Sequence, residues 1–421
     1  MSTKLSQQIE TLAKKAKLAS REMSLLSTAV KDKALKDMAK ALVNNQAFLM
    51  RENKRDLQYA KTNRLSSALI DRLTLNEKRI KAMADSLLEM VKIKDPVGEV
   101  IKTTKRPNGL VIKKVRTPIG VIGIIFESRP NVTSDCIGLC LKSGNAAFLK
   151  GGKEACYSNK AVYDCVIKAL KSGPIPLDAI QLLSSTDREA LHIFLKMDRY
   201  VDLIIPRGGE GLIRFVAEHT RIPVIKHYKG VCHTYVSSKA DIGMARRICI
   251  NAKVQRPGVC NAMETMLVHK DIAKKFLPVM IEDLKQCGVE IRADDKTRAI
   301  VKDGIKKASE KDWYEEYLDL ILSVRVVDNT KQAIDHINTY GSAHSDAIVT
   351  NDKKEAAQFL KAVDSSSVFV NTSTRFADGY EYGFGAEVGI STDKLHARGP
   401  MALEELTTYK YIVEGKGQIR E

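Results

Sequence analysis

Eight cysteines occur in the chain, and one stands apart. Seven lie in apolar or helical-looking stretches. Cys260 sits in Val254-Gln-Arg-Pro-Gly-Val-Cys-Asn-Ala-Met-Glu264, after a basic Pro-Gly turn and before the apolar run Met266-Leu-Val268. A cysteine becomes a nucleophile when positive charge, a helix N-terminus or hydrogen-bond donors lower its pKa. Arg256 and the Asn261 amide would supply part of that, and Pro257-Gly258 would hold a turn that exposes the sulfur. The competing reading is a buried small hydrophobe, the usual fate of cysteine. The Cys136/Cys140 and Cys156/Cys165 spacings contain no CxxC pair, so they suggest neither a zinc motif nor a disulfide framework.

Three other groups of residues suggest chemistry. Gly151-Gly152 and Gly208-Gly209 each follow an apolar run and precede a helical pattern. Such junctions bring a backbone and a helix N-terminus close to a phosphate, and Arg207 beside the second pair favours an anion. Neither is a G-x-G-x-x-G, so the usual dinucleotide fingerprint is absent. His227 and His233 are poorly spaced for a metal, and no HExxH occurs. One is expected to pack and the other to be polar; no acid partner for a catalytic base is evident. The stretch Asn371-Thr-Ser-Thr-Arg-Phe-Ala-Asp-Gly-Tyr380, continued by EYGFGAEVGISTDKLHARG, is dense in glycine, hydroxyls and charge. Ser373, Thr374 and Arg375 would hold a carboxylate or phosphate. A functional loop is preferred to a solvated linker because Phe369, Phe376, Tyr380 and Phe384 are expected to need burial.

The elements that must position these residues follow from periodicity. Residues 1 to about 93 are helical: Leu35, Met38 and Leu42 make one stripe, and Ile80, Met83, Leu87 and Met90 another. Thr74 and Glu77 form a capping box that predicts the start of the last helix. From residue 111 short β-branched runs alternate with helical segments every 25 to 30 residues, the pattern of βαβ units on a parallel sheet. A second alternating series follows Cys260. The tail LHARGPMALEELTTYKYIVEG has a helical turn and then a β-rich end that would suit pairing with another subunit. With 421 residues, 44% hydrophobic and 28% charged, the chain is long enough for two or three globular domains.

The formal charge is +17, with 68 basic residues against 51 acidic ones spread along the chain. Solvated surface charge is the first reading and anionic small ligands the second. Nucleic acid ranks third, because aromatics are only 6% and no aromatic–basic interleaving occurs. No apolar run is long enough to cross a membrane, and the amphipathic N-terminus resembles neither a secretory signal nor a transit peptide. Reduced thiols in a cytoplasmic protein are expected.

NAKVQRPGVCNAMET around Cys260 and VNTSTRFADGYEYGFGAEVGISTDKLHARGPMALEELTTYK near the C-terminus closely resemble the γ-glutamyl phosphate reductases, a family of the aldehyde dehydrogenase superfamily. RTPIGVIGIIFESRPNVTSD and IIPRGGEGLIRFV fit as well, so the resemblance covers essentially the whole chain. It implies an α/β, aldehyde-dehydrogenase-like fold with three parts. These are a Rossmann-like cofactor domain (1–105 and 123–230), an α/β catalytic domain (231–370) and a small β-flap for oligomerisation (106–122 and 386–421). It implies NADPH-dependent reduction of L-glutamyl 5-phosphate to L-glutamate 5-semialdehyde through a cysteine thioester, in proline biosynthesis. The alternative is another acylating, coenzyme A-dependent aldehyde dehydrogenase.

The resemblance makes Cys260 the nucleophile. Lys150 would contact the adenosine ribose, Gly208 and Gly209 would lie at the pyrophosphate, and Glu316 would hold the nicotinamide ribose. Arg256, Asn261, Ser373, Thr374 and Arg375 are the substrate-binding candidates. Asn131 is the oxyanion candidate, with Arg129 and Asn261 left open beside it. No metal is expected. A homo-oligomer and a functional association with glutamate 5-kinase are also implied. Hydrolytic aldehyde dehydrogenases carry a glutamate base in an E-L-G-G-K segment; here the comparable stretch is His227-Tyr-Lys-Gly-Val231, with no carboxylate. Hydride rather than water is therefore expected to remove the acyl group, and His227→Ala is expected to keep more than a tenth of turnover.

Overall fold

The structure, a computed structural model, describes residues 2–420. It comprises two units: unit 1 is Met1–Lys226, Gly383–Gly389 and Met401–Glu421, and unit 2 is His227–Tyr382 and Ile390–Pro400. Unit 2 thus takes in a short segment, Ile390–Pro400, from the stretch expected to belong wholly to the flap.

Unit 1 opens with α1 (Ser2–Met23), α2 (Thr28–Asn44), α3 (Gln46–Thr62), α4 (Ser67–Leu73) and α5 (Glu77–Lys92). Leu35, Met38 and Leu42 on α2 and Ile80, Met83, Leu87 and Met90 on α5 are all buried, so the 3.6-residue stripes face the core. The predicted capping box does not form. Asn76 caps α5, its side-chain oxygen accepting from the Arg79 N–H at 2.9 Å. The Leu75 N–H donates to Asn53 Oδ1 (2.8 Å) and the Thr74 hydroxyl turns back to the Ile70 carbonyl (2.7 Å), which keeps both residues out of the helix.

β1 (Val100–Lys105) and β2 (Val111–Pro118) form an antiparallel hairpin, and the C-terminal strand Thr407–Glu414 pairs with the other edge of β2. This three-stranded sheet also takes in residues 100–105, ahead of the stretch from 106 expected to form a flap. VIKTTK is largely exposed along its length, so no one-sided apolar alternation marked it as a strand.

The main sheet of unit 1 is parallel: β3 (Val121–Phe126), β4 (Ala146–Gly151), β5 (Ile180–Leu182) and β6 (Leu203–Arg207), in the order β5-β4-β3-β6. The apolar runs of β3 and β4 are buried nearly end to end, as parallel strands covered on both faces require. α6 (Asn131–Lys142), α7 (Cys156–Leu170) and α8 (Arg188–Phe194) connect the strands, and α9 (Glu210–His219) follows β6. The chain runs from β3 outward to β5 and then returns to the far side of β3. That reversal opens a crevice outside the carboxyl ends of β3 and its neighbours.

Unit 2 has a seven-stranded sheet in the order β10-β9-β11-β8-β7-β12-β13, with every pairing parallel. Its strands are β7 (Cys232–Val236), β8 (Met263–His269), β9 (Glu290–Ala293), β10 (Lys306–Lys307), β11 (Ile321–Val327), β12 (Ser345–Val349) and β13 (Ser367–Val370). α10 (Ile242–Val254) and α11 (Lys270–Gln286) cover one face, and α13 (Thr330–Tyr340) and α14 (Lys353–Ala362) the other; the short α12 (Asp295–Ile300) follows β9. Met266 and Val268 of β8 point into the first layer and Leu267 into the second, the period-two alternation of a strand buried on both sides.

Candidate active site

α10 ends at Val254 and β8 begins at Met263, and the turn between them carries Cys260. The Ala262 N–H closes the turn on the Val259 carbonyl at 3.1 Å. Gly230 lies two residues before β7, Cys260 three before β8 and His344 one before β12. These strands are parallel neighbours, so all three residues gather at the amino edge of the sheet. Cys260 is half-buried, whereas Cys136, Cys140, Cys165, Cys232 and Cys249 are buried. Burial pushes the Cys140 and Cys249 thiols up to about 12 and Cys165 to about 11, which makes them inert at neutral pH.

The turn is held on two sides. The Cys232 thiol donates to the Cys260 carbonyl at 3.1 Å. On the other side stands the loop after β13. The Thr374 hydroxyl donates to the Asn261 carbonyl at 2.7 Å, and the Asn261 amide donates to the Ala377 carbonyl at 2.9 Å. Arg375 donates through Nη1 to Asn261 Oδ1 and through Nε to Gln255 Oε1 at 2.8 Å. The Ser373 hydroxyl accepts from the Arg375 N–H at 3.3 Å.

The candidates in this loop therefore divide. Asn261, Ser373 and Thr374 are buried and committed to holding the two loops together. Asn261, next to the cysteine, is held through both its amide and its side-chain oxygen. Arg375 and the exposed Arg256 remain as the cationic pair. Burial lowers the Arg375 pKa and the adjacent Arg256 charge adds to this, while the Asp378 carboxylate and, after it, the Cys260 and Cys232 thiols act on it in the opposite sense. Two guanidiniums crowded together call for an anion. The aromatic residues behave otherwise than expected: Phe376, Tyr380 and Phe384 are exposed, because the loop is anchored by polar bonds instead of an apolar core.

Both nearby histidines, His227 and His344, place a ring nitrogen within 4.8 Å of the Cys260 sulfur and of each other. His227 Nδ1 is 3.0 Å from the Ile390 carbonyl, which makes it the protonated nitrogen and leaves the lone pair on Nε2. His344 is buried, with Nδ1 2.8 Å from the Ser345 hydroxyl. His233 is a different case: it is fully buried in β7 with Nδ1 2.9 Å from Asp346 Oδ1, a packed pair. Beneath the turn, Lys253 Nζ meets Glu264 Oε2 at 2.5 Å with both side chains wholly buried, and Glu264 Oε1 accepts from the Leu318 N–H at 3.2 Å. Glu316, half-buried two residues before Leu318, lies close enough for its charge to raise the pKa values of Glu264 and Cys232.

In unit 1 the other candidates collect at the carboxyl ends of the parallel strands. Lys150 is buried on β4 with Nζ 2.9 Å from the Gly151 carbonyl, and burial lowers its pKa. Gly208 and Gly209 are exposed at the end of β6, and Gly209 starts α9 with no side-chain cap. A small cavity opens beyond β4 and β5, lined by Gly151, Gly152, Cys156, Leu182, Leu183 and Thr186. The spacing of the glycines did not point to the β5 side of that cavity. Glu127 was also missed as a site residue: its Oε2 accepts from the Gly209 N–H at 3.0 Å, and burial raises its pKa, with the Glu154 charge adding to this. Ser128, at φ 43°, is tied to Glu154 Oε1 through its N–H at 2.6 Å and its hydroxyl at 3.0 Å. Asn131 is exposed in the first turn of α6, one amide N–H on Asp135 Oδ2 at 3.0 Å. Arg129 is half-buried in the same loop.

The sequence model of the aldehyde dehydrogenase family matches residues 1–302 and 299–412. A gamma-glutamyl phosphate reductase of Nautilia profundicola is 54% identical over 413 residues, 98% of this chain and 100% of the relative. The chain belongs to the gamma-glutamyl phosphate reductase family. A second such reductase, from Caldanaerobacter subterraneus, is 54% identical over 98% of this chain and 100% of its own length. The crystal structure of the gamma-glutamyl phosphate reductase of Thermotoga maritima superposes with a TM-score of 0.96 at 46% identity, covering 98% of this chain and 100% of that one. The aldehyde-dehydrogenase-like fold extends further. An acetylating aldehyde dehydrogenase of Geobacillus thermoglucosidasius has a TM-score of 0.69 at 15% identity, with 100% of this chain and 99% of that one covered. Among the described residues of this family member, no helix is long and apolar enough to cross a membrane.

Proposed function

We propose that the chain reduces L-glutamyl 5-phosphate to L-glutamate 5-semialdehyde and phosphate, with NADPH as reductant, in the synthesis of proline from glutamate. The observation that carries this reading is Cys260, half-buried on a braced turn beside Arg375, with no carboxylate in the 227–231 segment that precedes β7.

The Cys260 thiolate attacks the acyl carbon of the substrate. The bond from that carbon to the phosphate oxygen breaks, and phosphate leaves with the electron pair. Arg375 and Arg256 neutralise the departing charge, and the Cys260 backbone N–H donates to the oxyanion. The resemblance assigns Asn131 as a second donor. A bound nicotinamide supplies the hydride that reduces the thioester. The carbon–sulfur bond to Cys260 then breaks and the aldehyde is released. A carboxylate base beside Cys260 would activate water and waste the acyl group; its absence from the segment suits a reductase.

The residues of unit 1 fit a dinucleotide. Lys150 offers a buried ammonium, and the first turn of α9, beyond the Gly209 N–H that Glu127 holds, offers N–H groups to a phosphate. The preference for NADPH is proposed on the local positive charge, with Lys153 exposed directly after Gly152. A homo-oligomer is proposed as well. Thr407–Glu414 pairs on one side only among the described residues, and its Tyr409, Tyr411, Ile412 and Val413 are exposed. A functional association with a glutamate 5-kinase, which makes the acyl phosphate, belongs to the same proposal, as does a cytoplasmic location.

The test is Cys260→Ala in the reverse direction. Phosphate-dependent oxidation of the semialdehyde is lost while NADPH still binds; substantial remaining turnover would refute the cysteine mechanism. Coenzyme A in place of phosphate should support no rate, and a rate with coenzyme A alone would move the chain to the acylating dehydrogenases.

A further inference from the structure

Among the described residues, one set of soft ligands is already gathered. Cys260, His227 and His344 each place a ligating atom within 4.8 Å of the other two. We propose that these three side chains form a reversible zinc site that parks the nucleophile. The proposal rests on the reading of Cys260 as the reactive thiol.

Thiolate and imidazole are the ligand types of zinc, and three protein ligands with an open fourth position is a familiar zinc coordination. Tetrahedral zinc requires its ligand atoms about 3.3–3.6 Å apart, at the bond lengths of about 2.3 Å to sulfur and 2.0–2.1 Å to nitrogen. The trio is therefore within about 1.5 Å of closing, a change that side-chain rotation supplies. A second feature points the same way. His227 directs Nδ1–H to the Ile390 carbonyl at 3.0 Å, so the ring is held in the tautomer whose Nε2 carries the lone pair. A ligating histidine characteristically has its other nitrogen fixed by a backbone carbonyl or carboxylate. Among the described residues no carboxylate joins this trio, so magnesium and calcium are poor occupants.

Zinc binding displaces the thiol proton to solvent and forms a sulfur–zinc bond, with no change of oxidation state. The fourth position is left to water or to a phosphate oxygen. While zinc is bound the sulfur attacks neither an acyl phosphate nor an alkylating agent, so the same contact shields Cys260 and stops turnover until a chelator removes the metal.

The experiment titrates the full chain with zinc chloride against a chromophoric chelator and follows alkylation of Cys260 by iodoacetamide through peptide mass spectrometry. Neither readout depends on turnover, so it stands or falls apart from the assigned reaction. One zinc per chain is expected. Alkylation of Cys260 should slow at least tenfold with zinc and stay unchanged with magnesium. Cys260→Ser should lose the site, and His227→Ala should weaken zinc at least tenfold. His227 is half-exposed, so its variant folds even where the buried His344→Ala does not. Zinc stoichiometry and affinity unchanged in Cys260→Ser or His227→Ala, or equal protection by magnesium, would overturn the proposal.

Discussion

Gly230 lies directly against the backbone of Cys260: a methyl group at position 230 would overlap the carbonyl oxygen and Cα of that cysteine. Neither atom belongs to a flexible side chain, so relief requires the turn itself to move. Gly230→Ala should therefore shift the sulfur and lower kcat/KM at least 100-fold, about 2.7 kcal/mol. Because the Cys232 thiol and Thr374 still hold the turn, the protein should remain folded by circular dichroism. A variant with near-native kcat/KM would show that the turn tolerates displacement.

His227 adjoins the nucleophile, yet what orients it is a carbonyl, that of Ile390, rather than a carboxylate. A general base in the usual triad arrangement is held by an acid that stabilises the imidazolium. His233 has such an acid in Asp346 but is buried in a packed pair. His227→Ala should accordingly retain more than a tenth of wild-type turnover, a loss below about 1.4 kcal/mol. Steady-state kinetics decide it, and loss of all activity in a folded variant would make His227 the acceptor of the Cys260 proton.

The Lys253–Glu264 pair ties α10 to β8 directly beneath the nucleophile's turn. Burial raises Glu264 and lowers Lys253, so each is tolerable in ionised form only because of the other. Removing one partner leaves a buried polar group unmatched and costs about 3–5 kcal/mol. Glu264→Leu should lower the denaturant midpoint sharply, and adding Lys253→Met should recover most of the loss. If the double variant is no more stable than the single, the pair is not what makes the single change costly.

Much of this arrangement was legible before the coordinates. The apolar runs of β3, β4 and β8 and the stripes of α2 and α5 are periodic signals, and they survived because burial follows periodicity directly. Cys260 was legible through its Pro-Gly turn. α10 was overlooked although its signal was present: Asp241 accepts from the Met244 N–H at 2.6 Å, and Ala245, Ile248, Cys249 and Ala252 make a buried stripe. His344 and Gly230 carried no local signal, since what matters is which strand ends the sheet order brings together. The partner of Asn261 carries no local signal for the same reason: Ala377 is 116 residues away. The switch-point rule also points to the wrong edge in unit 2. It favours the carboxyl ends of strands, whereas Cys260 stands at the amino end of β8.

His336 gives unit 2 a dependence on acid. It is buried on α13, its Nδ1 accepts from Arg325 Nη1 at 2.9 Å, and its ring packs against Trp313 and His233. Burial, with the charges of His233 and Arg325, pushes its pKa down to about 2. The folded state therefore holds it neutral, whereas the unfolded chain protonates it below an ordinary pKa near 6.5. In that range the unfolded state binds more protons, so stability falls as pH falls. The stabilisation is fully present above pH 6.5 and is lost at about 1.4 kcal/mol per pH unit below it. Urea unfolding at pH 7.5, 6.5, 5.5 and 4.5 should show His336→Gln losing less stability than wild type across the last two units, by about 2 kcal/mol. Parallel pH slopes in the two proteins would mean that Arg325 and the ring move apart and admit the proton without unfolding.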